Sequence, residues 1–226
     1  MSPVFSHAIE DYVKVIFELT SSNQKATTNE LAERLEVKPA SVTGMIKRLA
    51  AAEPPLVQYE KHRGVTLTKA GESVALEIIR HHRLLESFLH ETLGYSWDEV
   101  HAEAERLEHV ISEDLEERIA QALGNPQHDP HGEPIPSRDL RLPPTSKVRL
   151  SELRQGQEAI VQRVAAADLD LLRYLEKIGL VPQAKVSILE YSDYDDNLRL
   201  QITGQKDSIV LGPRVTRQVY VELADK

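Results

Sequence analysis

The chain has no cysteine. Disulfides, thiolate metal ligands and cysteine nucleophiles are therefore excluded, and any metal must be held by His, Asp, Glu, amide or carbonyl groups. Aromatic residues make up only 5% of the 226 positions, against 41% hydrophobic overall, a composition that reads as soluble and globular. No apolar run approaches the roughly 18 residues that span a bilayer, and the first residues lack a signal-peptide pattern. These absences predict a cytoplasmic protein with no membrane partner. The formal net charge of -9 argues against bulk affinity for nucleic acid. Charge is not evenly spread, however. From Lys38 to Lys69 six Lys or Arg stand against two Glu, a local balance of +4, and one basic patch is enough to dock on DNA.

Hydrophobic spacing divides the chain into three stretches. Ile9, Val13, Ile16 and Phe17 mark a first helix over about 6–19, with Ser6 suited to cap it. Thr27 and Glu30 have capping-box spacing and open a second, short helix with Leu31, Ala32 and Leu35 inward. A third runs over about 39–52, with Pro39 in its first turn, and Pro54 and Pro55 end it. Residues 56–59 and 65–68 alternate as two strands around a Lys61-His62-Arg63-Gly64 tip. Long helices are predicted over 69–93 and 96–123. Residues 124–145 carry six prolines and read as a linker or irregular docked segment, with His128 and His131 solvated. Beyond it lie short alternating strands (147–150, 157–164, 185–191, 197–202, 208–211, 218–222) and one helix at 168–177, a small β-barrel.

Two short helices, a tight turn and a hairpin make a winged helix-turn-helix. Its second helix would present Lys38, Pro39, Ala40, Ser41, Thr43, Gly44 and Lys47 to the major groove. Hydroxyls and amines there reach phosphates and base edges, while Ala40 and Gly44 permit close approach. Lys61 and Arg63 on the wing tip would follow the DNA backbone. The same fold also serves as a protein-interaction module, but the basic patch sits where DNA docking requires it.

The stretch His-Ala-Glu-Ala-Glu-Arg-Leu-Glu-His at 101–109 carries most of the remaining chemistry. On a continuous helix His101, Glu105, Glu108 and His109 fall within an arc of about 100°. Two imidazoles and two carboxylates suit a borderline or hard divalent metal. A solvated polar face is the plainer reading of the same pattern. A metal-assisted hydrolase is the rival from another class, but there is no His-Glu-x-x-His signature and no Ser or Lys nucleophile arrangement. A winged-helix regulator that responds to an organic ligand is a second rival.

The order of winged helix, His- and Glu-bearing helices, Pro-rich segment and small barrel resembles the diphtheria-toxin-repressor family of metal-dependent transcriptional regulators. The likeness spans essentially the whole chain. Its most specific pieces are Glu-Asp-Tyr at 10–12, Pro-Ala-Ser-Val-Thr at 39–43, His-Arg-Leu-Leu-Glu at 82–86, Glu-His at 108–109 and Asp-Pro-His-Gly-Glu-Pro-Ile-Pro at 129–136. The resemblance implies an α+β chain. It would comprise a DNA-binding domain (1–74), a helical dimerisation and metal-binding domain with the Pro-rich segment (75–145), and an SH3-like barrel (146–226). It implies no enzyme, but a homodimer that binds a palindromic double-stranded operator and represses metal-uptake genes.

The resemblance also implies two metal positions. The activating one would take Asp11, Glu105, Glu108 and His109. Asp11 and Glu105 stand where iron-responsive members carry Met and Cys, so the set resembles the manganese-responsive branch, with Mn(II) expected and Fe(II) the alternative. Lys14 stands where short members of that branch place a second carboxylate, which argues against a binuclear cluster. The ancillary position would take His82, Glu86 and His101, with Asp168 from the barrel and Asp170 behind it.

Overall fold

The computed structural model describes residues 5–21, 25–60, 63–165 and 168–224, and divides the chain into two compact units. The first comprises Met1–His82, Arg106–Ser112 and Pro136–Arg141. The second comprises Arg83–Glu105, Glu113–Ile135 and Leu142–Lys226.

The first unit opens with helices α1 (His7–Thr20), α2 (Thr28–Arg34) and α3 (Pro39–Ala50). A hairpin of β1 (Val57–Glu60) and β2 (Gly64–Leu67) follows, and α4 (Lys69–Leu93) begins here. The capping box at α2 is complete: the Thr27 hydroxyl accepts from the Glu30 amide at 3.2 Å, and the Glu30 carboxylate accepts from the Thr27 amide at 2.7 Å. Pro39 occupies the first turn of α3, where its missing N–H costs nothing. Ser6 flanks α1, but its side chain makes no capping bond, contrary to the sequence expectation. The hairpin pairs Val57 with Leu67 and Glu60 with Gly64, and Gly64 supplies the positive φ (92°) of the tip. Val13, Ile16, Leu31, Val42, Ile46, Leu49 and Val65 meet in one core. Each such side chain contributes on the order of 1.5–3 kcal/mol by leaving water, so the helix carrying the basic face is rigidly seated.

In the second unit an antiparallel sheet runs in the order β6-β5-β4-β3-β7. Its strands are β3 (Glu158–Val164), β4 (Lys185–Tyr191), β5 (Leu198–Ile202), β6 (Ile209–Leu211) and β7 (Val219–Leu223). Alternate residues (Ala159, Val161, Val186, Ile188, Leu198, Leu200) point into a core that also takes Leu172 and Leu175 of α7 (Leu169–Lys177) and Trp97. Helices α6 (Glu113–Ala122) and α8 (Pro213–Thr216) complete the unit, while α5 (Val100–Leu107) ends just inside the first.

Three further sequence expectations are corrected. The helix expected over 96–123 is two: α5 ends at Leu107, Glu108 to Val110 form a turn, and α6 starts at Glu113. The strand expected at 147–150 gives way to a 3₁₀ turn, Leu150–Glu152, which buries Leu150. His131 is fully buried rather than solvated. Its ring Nε2 lies 2.9 Å from the Trp97 carbonyl, and its own carbonyl accepts from the Val164 amide at 2.9 Å. The Pro-rich run is thus docked on β3, and Gly132 is the point of closest approach. Its φ is +86°, and a Cβ there would fall 2.0 Å from the Gln162 carbonyl oxygen. Gly132→Ala should therefore destabilise the second unit by on the order of 3 kcal/mol. Denaturant unfolding measures this, and a loss below about 0.5 kcal/mol would contradict the docked packing.

Candidate metal centre and nucleic-acid interface

On α3 the inward residues Val42, Ile46 and Leu49 leave the opposite face to solvent. Lys38, Pro39, Ala40, Ser41, Gly44 and Lys47 are exposed there, and Thr43 is half-buried. The Thr43 hydroxyl donates to the Pro39 carbonyl at 3.1 Å. Gly44 has open space where a Cβ would stand, so a groove wall or phosphate can approach the helix backbone. On the wing, Arg63 is exposed and pairs with Glu60 at 3.3 Å. Lys61 and His62 lie outside the described residues.

The metal-ligating residues of the first unit come from α1 and the turn after α5. Asp11 Oδ1 is 2.9 Å from His109 Nε2, and Glu108 Oε1 is 3.6 Å from the same nitrogen. One donor atom from each of the three residues lies within 4.8 Å of the others. His109 Nδ1 is 2.7 Å from Glu10 Oε2, and the His7 ring stacks on the His109 ring at 4.7 Å. Glu10 therefore fixes the ring through one nitrogen while the other faces two carboxylates, the arrangement that orients ligating histidines. Burial opposes charge on His109, but its bonds to Asp11 and Glu10 outweigh that and raise its pKa to about 8.

Glu108 is 1% exposed and does not stand alone. Its two oxygens accept from Lys14 Nζ at 2.9 and 2.7 Å, and Oε2 also bonds His82 Nδ1. Burial pushes the Glu108 pKa up, but His82 and Lys14 more than reverse this and hold the carboxyl below its ordinary range. Sequence reading missed Glu10 as a neighbour of the ligands, and it placed Lys14 beside the centre through the resemblance without foreseeing its bonds to Glu108. The only signal for Glu10 was its place beside Asp11 on the first helix.

In the second unit His101 sits between two carboxylates, with Nδ1 3.1 Å from Glu86 and Nε2 3.4 Å from Glu105. Hydrogen bonds to Glu105 and Glu86 raise its pKa to about 10 against the cost of burial. Asp168 caps α7, accepting from the Leu171 amide at 3.1 Å, a local role the sequence reading did not give it. Asp170 pairs with Arg173 at 3.1 Å. A buried set that the sequence did not suggest comprises Glu86, Asp129 and His131. Asp129 Oδ1 accepts from the amides of His131 and Glu133, and its other oxygen lies 3.8 Å from Arg83. Burial and the nearby Glu86 push the Asp129 carboxyl well above its ordinary range.

The donors are all oxygen and nitrogen, which fits a hard or borderline divalent cation. Comparison with known proteins identifies the chain as a metal-dependent regulator. Residues 4–65 match the family model described as "Iron dependent repressor, N-terminal DNA binding domain". Residues 68–137 match "Iron dependent repressor, metal binding and dimerisation domain", and residues 148–223 match "FeoA domain". The iron-dependent repressor IdeR of Mycobacterium leprae (strain TN) is 36% identical over 191 residues, 79% of this chain and 82% of the relative. The chain belongs to the iron-dependent repressor family. The diphtheria toxin repressor of Corynebacterium glutamicum is 30% identical and covers 94% of this chain and 95% of its own length. A solved manganese-dependent transcriptional repressor in complex with manganese superposes with a TM-score of 0.86 at 37% identity, covering 96% of this chain and all of that one. This family member is thus a metal-dependent, DNA-binding transcriptional repressor with a dimerisation domain, not an enzyme. The expected α+β order of winged helix-turn-helix, helical domain and SH3-like strands holds. Among the described residues no helix is long and apolar enough to cross a membrane.

Proposed function

We propose that this repressor responds to Mn(II) and that Asp11, Glu108 and His109 are the core of the sensing centre. The observation that carries this is the convergence of two carboxylates and one imidazole, with no cysteine in the chain and no methionine in the set. Hard oxygen donors favour Mn(II) over softer, thiophilic ions. Glu105 is the expected fourth donor. His82, Glu86 and His101 belong to an ancillary position, with Asp168 as the barrel's contribution.

The switch follows from which elements carry the ligands. Asp11 lies on α1, whose inner face packs in one core with α2 and α3. Glu108 and His109 lie on the turn after α5. A divalent ion supplies the positive charge that lets two carboxylates and a neutral imidazole share one place. Without it, a proton on His109 holds Asp11 and the Lys14 ammonium offsets the Glu108 charge, so nothing draws the two carboxylates to one point. Metal thereby fixes α1, and with it α3, in the homodimer at a spacing that matches palindromic half-sites one helical turn or a multiple apart. A coupling of about 1–3 kcal/mol changes operator affinity by roughly 5- to 150-fold. Such a protein works in the cytoplasm, at operators of metal-uptake genes.

Fe(II) is the second reading. It accepts the same donors, and relatives such as the M. leprae protein carry iron in their names. Operator binding measured against a series of buffered Mn(II), Fe(II), Co(II) and Zn(II) decides between them. Mn(II) should activate at the lowest free concentration relative to its availability. Binding that ignores every metal would overturn the sensor reading, and activation by Fe(II) alone would overturn the choice of manganese.

A further inference from the structure

We infer that Gly44 is a specificity-determining position of α3: the room left by its missing side chain takes a thymine methyl of the operator, which meets the helix backbone directly. The inference rests on the reading that the exposed face of α3 enters the major groove.

Gly44 lies inside a 12-residue helix, where glycine is a poor choice. It loses more backbone freedom on folding than alanine would and leaves the helix backbone open to water. Gly64 and Gly71, the other glycines of the first unit, have reasons within the fold. Gly64 carries a φ of +92°, and a Cβ on Gly71 would fall 2.0 Å from the Leu56 carbonyl oxygen. Gly44 has neither reason. It sits in regular helix, and nothing lies within 4 Å of the place where its Cβ would stand. A residue that weakens its own helix and gains nothing inside the fold points to a contact outside it.

Its position says which contact. At about 100° per residue, Gly44 stands about 140–160° from the buried Val42, Ile46 and Leu49, at the middle of the exposed face. Ala40 and Lys47 lie about 40–60° to one side of it, and Ser41 and Arg48 as far to the other. All four are exposed. The bare backbone is thus flanked by one cation on each side. In a helix lying along the major groove, such flanking cations reach phosphates while the middle of the face meets base edges. The amide and carbonyl of residue 44 are taken up inside the helix, so this strip offers the bases no free donor or acceptor. Among the groups displayed in the major groove, the thymine methyl is the apolar one. It fits a gap that lacks a Cβ and asks for no hydrogen bond. One methyl can stand there, from the DNA or from the protein, but not both.

The experiment exchanges that methyl between the two partners. Operator duplexes are selected from randomised DNA by the full-length native protein with saturating Mn(II), and with Fe(II) under anaerobic conditions in parallel. Each thymine of the selected half-site is then replaced singly by deoxyuridine, which lacks the methyl. Fluorescence anisotropy reads native, Gly44→Ala, Ser41→Ala and Lys47→Ala proteins on every duplex, and thermal unfolding reads their stability. Gly44→Ala should melt about 2–4 °C higher than native, because alanine is the better helix former. It should nonetheless bind the thymine operator at least tenfold more weakly. At one half-site position deoxyuridine should weaken native binding about fourfold, the worth of one buried methyl. The same replacement should strengthen binding by Gly44→Ala. Operator affinity unchanged in Gly44→Ala, a lower melting temperature in that variant, or no position at which deoxyuridine acts in opposite directions on the two proteins would each overturn the inference. If Ser41→Ala and Lys47→Ala also bind as native, the groove-reading role of α3 falls with it. If those two weaken binding and Gly44→Ala does not, only the inference about Gly44 falls.

Discussion

Asp11→Ala should abolish metal-dependent operator binding while leaving the protein folded. The Asp11 side chain is 43% exposed, so its removal costs little stability. Yet it is the one direct donor that α1 gives to the Asp11, Glu108 and His109 set. Loss of a residue that only orients a ligand typically lowers metal affinity 10–100-fold. Loss of a ligand should exceed that, so Mn(II) affinity at this centre should fall by more than about 100-fold. Because the ion then no longer ties α1 to the turn after α5, and only the metal-independent Glu10–His109 and Lys14–Glu108 bonds remain, DNA affinity with Mn(II) should drop to its metal-free value. Glu108→Ala should have the same functional outcome for a less simple reason. It strands the buried Lys14 ammonium, at a cost of about 3–5 kcal/mol, so loss of function there mixes metal loss with unfolding. Glu108→Gln, which keeps the shape and one acceptor, separates the two. Fluorescence-anisotropy titration of operator DNA with and without Mn(II) reads all three variants. Full Mn(II) dependence retained in Asp11→Ala would remove α1 from the switch.

Much of this architecture was legible because its signals are local. The capping box of Thr27 and Glu30, the proline at the start of α3, the alternation around the Gly64 tip and the helical periodicity of the 25-residue α4 each depend on residues within one or two turns. What was not legible depends on partners far along the chain. Leu107, Ile111 and Leu115 continue a helical spacing across 108–112 with no glycine or proline to interrupt it, so nothing nearby announces that α5 ends at Leu107. The turn lets Glu108 meet Lys14, which lies 94 residues earlier, and His109 meet Glu10, 99 residues earlier. The bonds that hold Glu108 come from residues far along the chain, and single-chain periodicity carries no trace of them. His131 was misjudged for the same reason. A Pro-rich polar run reads as solvated unless one knows that Gly132 lies against β3 and that Glu133 pairs with Arg163 at 2.7 Å. Likewise, four of the ligand candidates did come from motif and spacing, but their grouping did not. Glu105 and His101 bond each other as an i, i+4 pair on α5, while Glu108 and His109 turn away to residues of the first unit.

Metal affinity should climb about tenfold per pH unit between pH 6 and 8 and then level off. His109 must be neutral to ligate, and its pKa in the metal-free protein is raised to about 8, because bonds to Asp11 and Glu10 outweigh the cost of burying the charge. Below that value each binding event must expel a proton, so one unit of pH costs about 1.4 kcal/mol, a factor of ten. The stability of the metal-free protein should move the other way. A histidine whose folded pKa exceeds its unfolded value of about 6.5 contributes fully below pH 6.5 and loses that contribution as pH rises through about 8. His101 is raised further, to about 10, so it stays protonated over this window and adds its own proton release to any ion bound beside Glu86. The titration is therefore best done in His101→Ala, where His109 is the imidazole that reports on the centre. Isothermal calorimetry with Mn(II) in buffers of different ionisation enthalpy counts the protons. About one should be released at pH 6.5 and close to none at pH 9. An affinity that is flat from pH 6 to 8 would mean that His109 is not a ligand, and that Asp11 and Glu108 bind the ion without it.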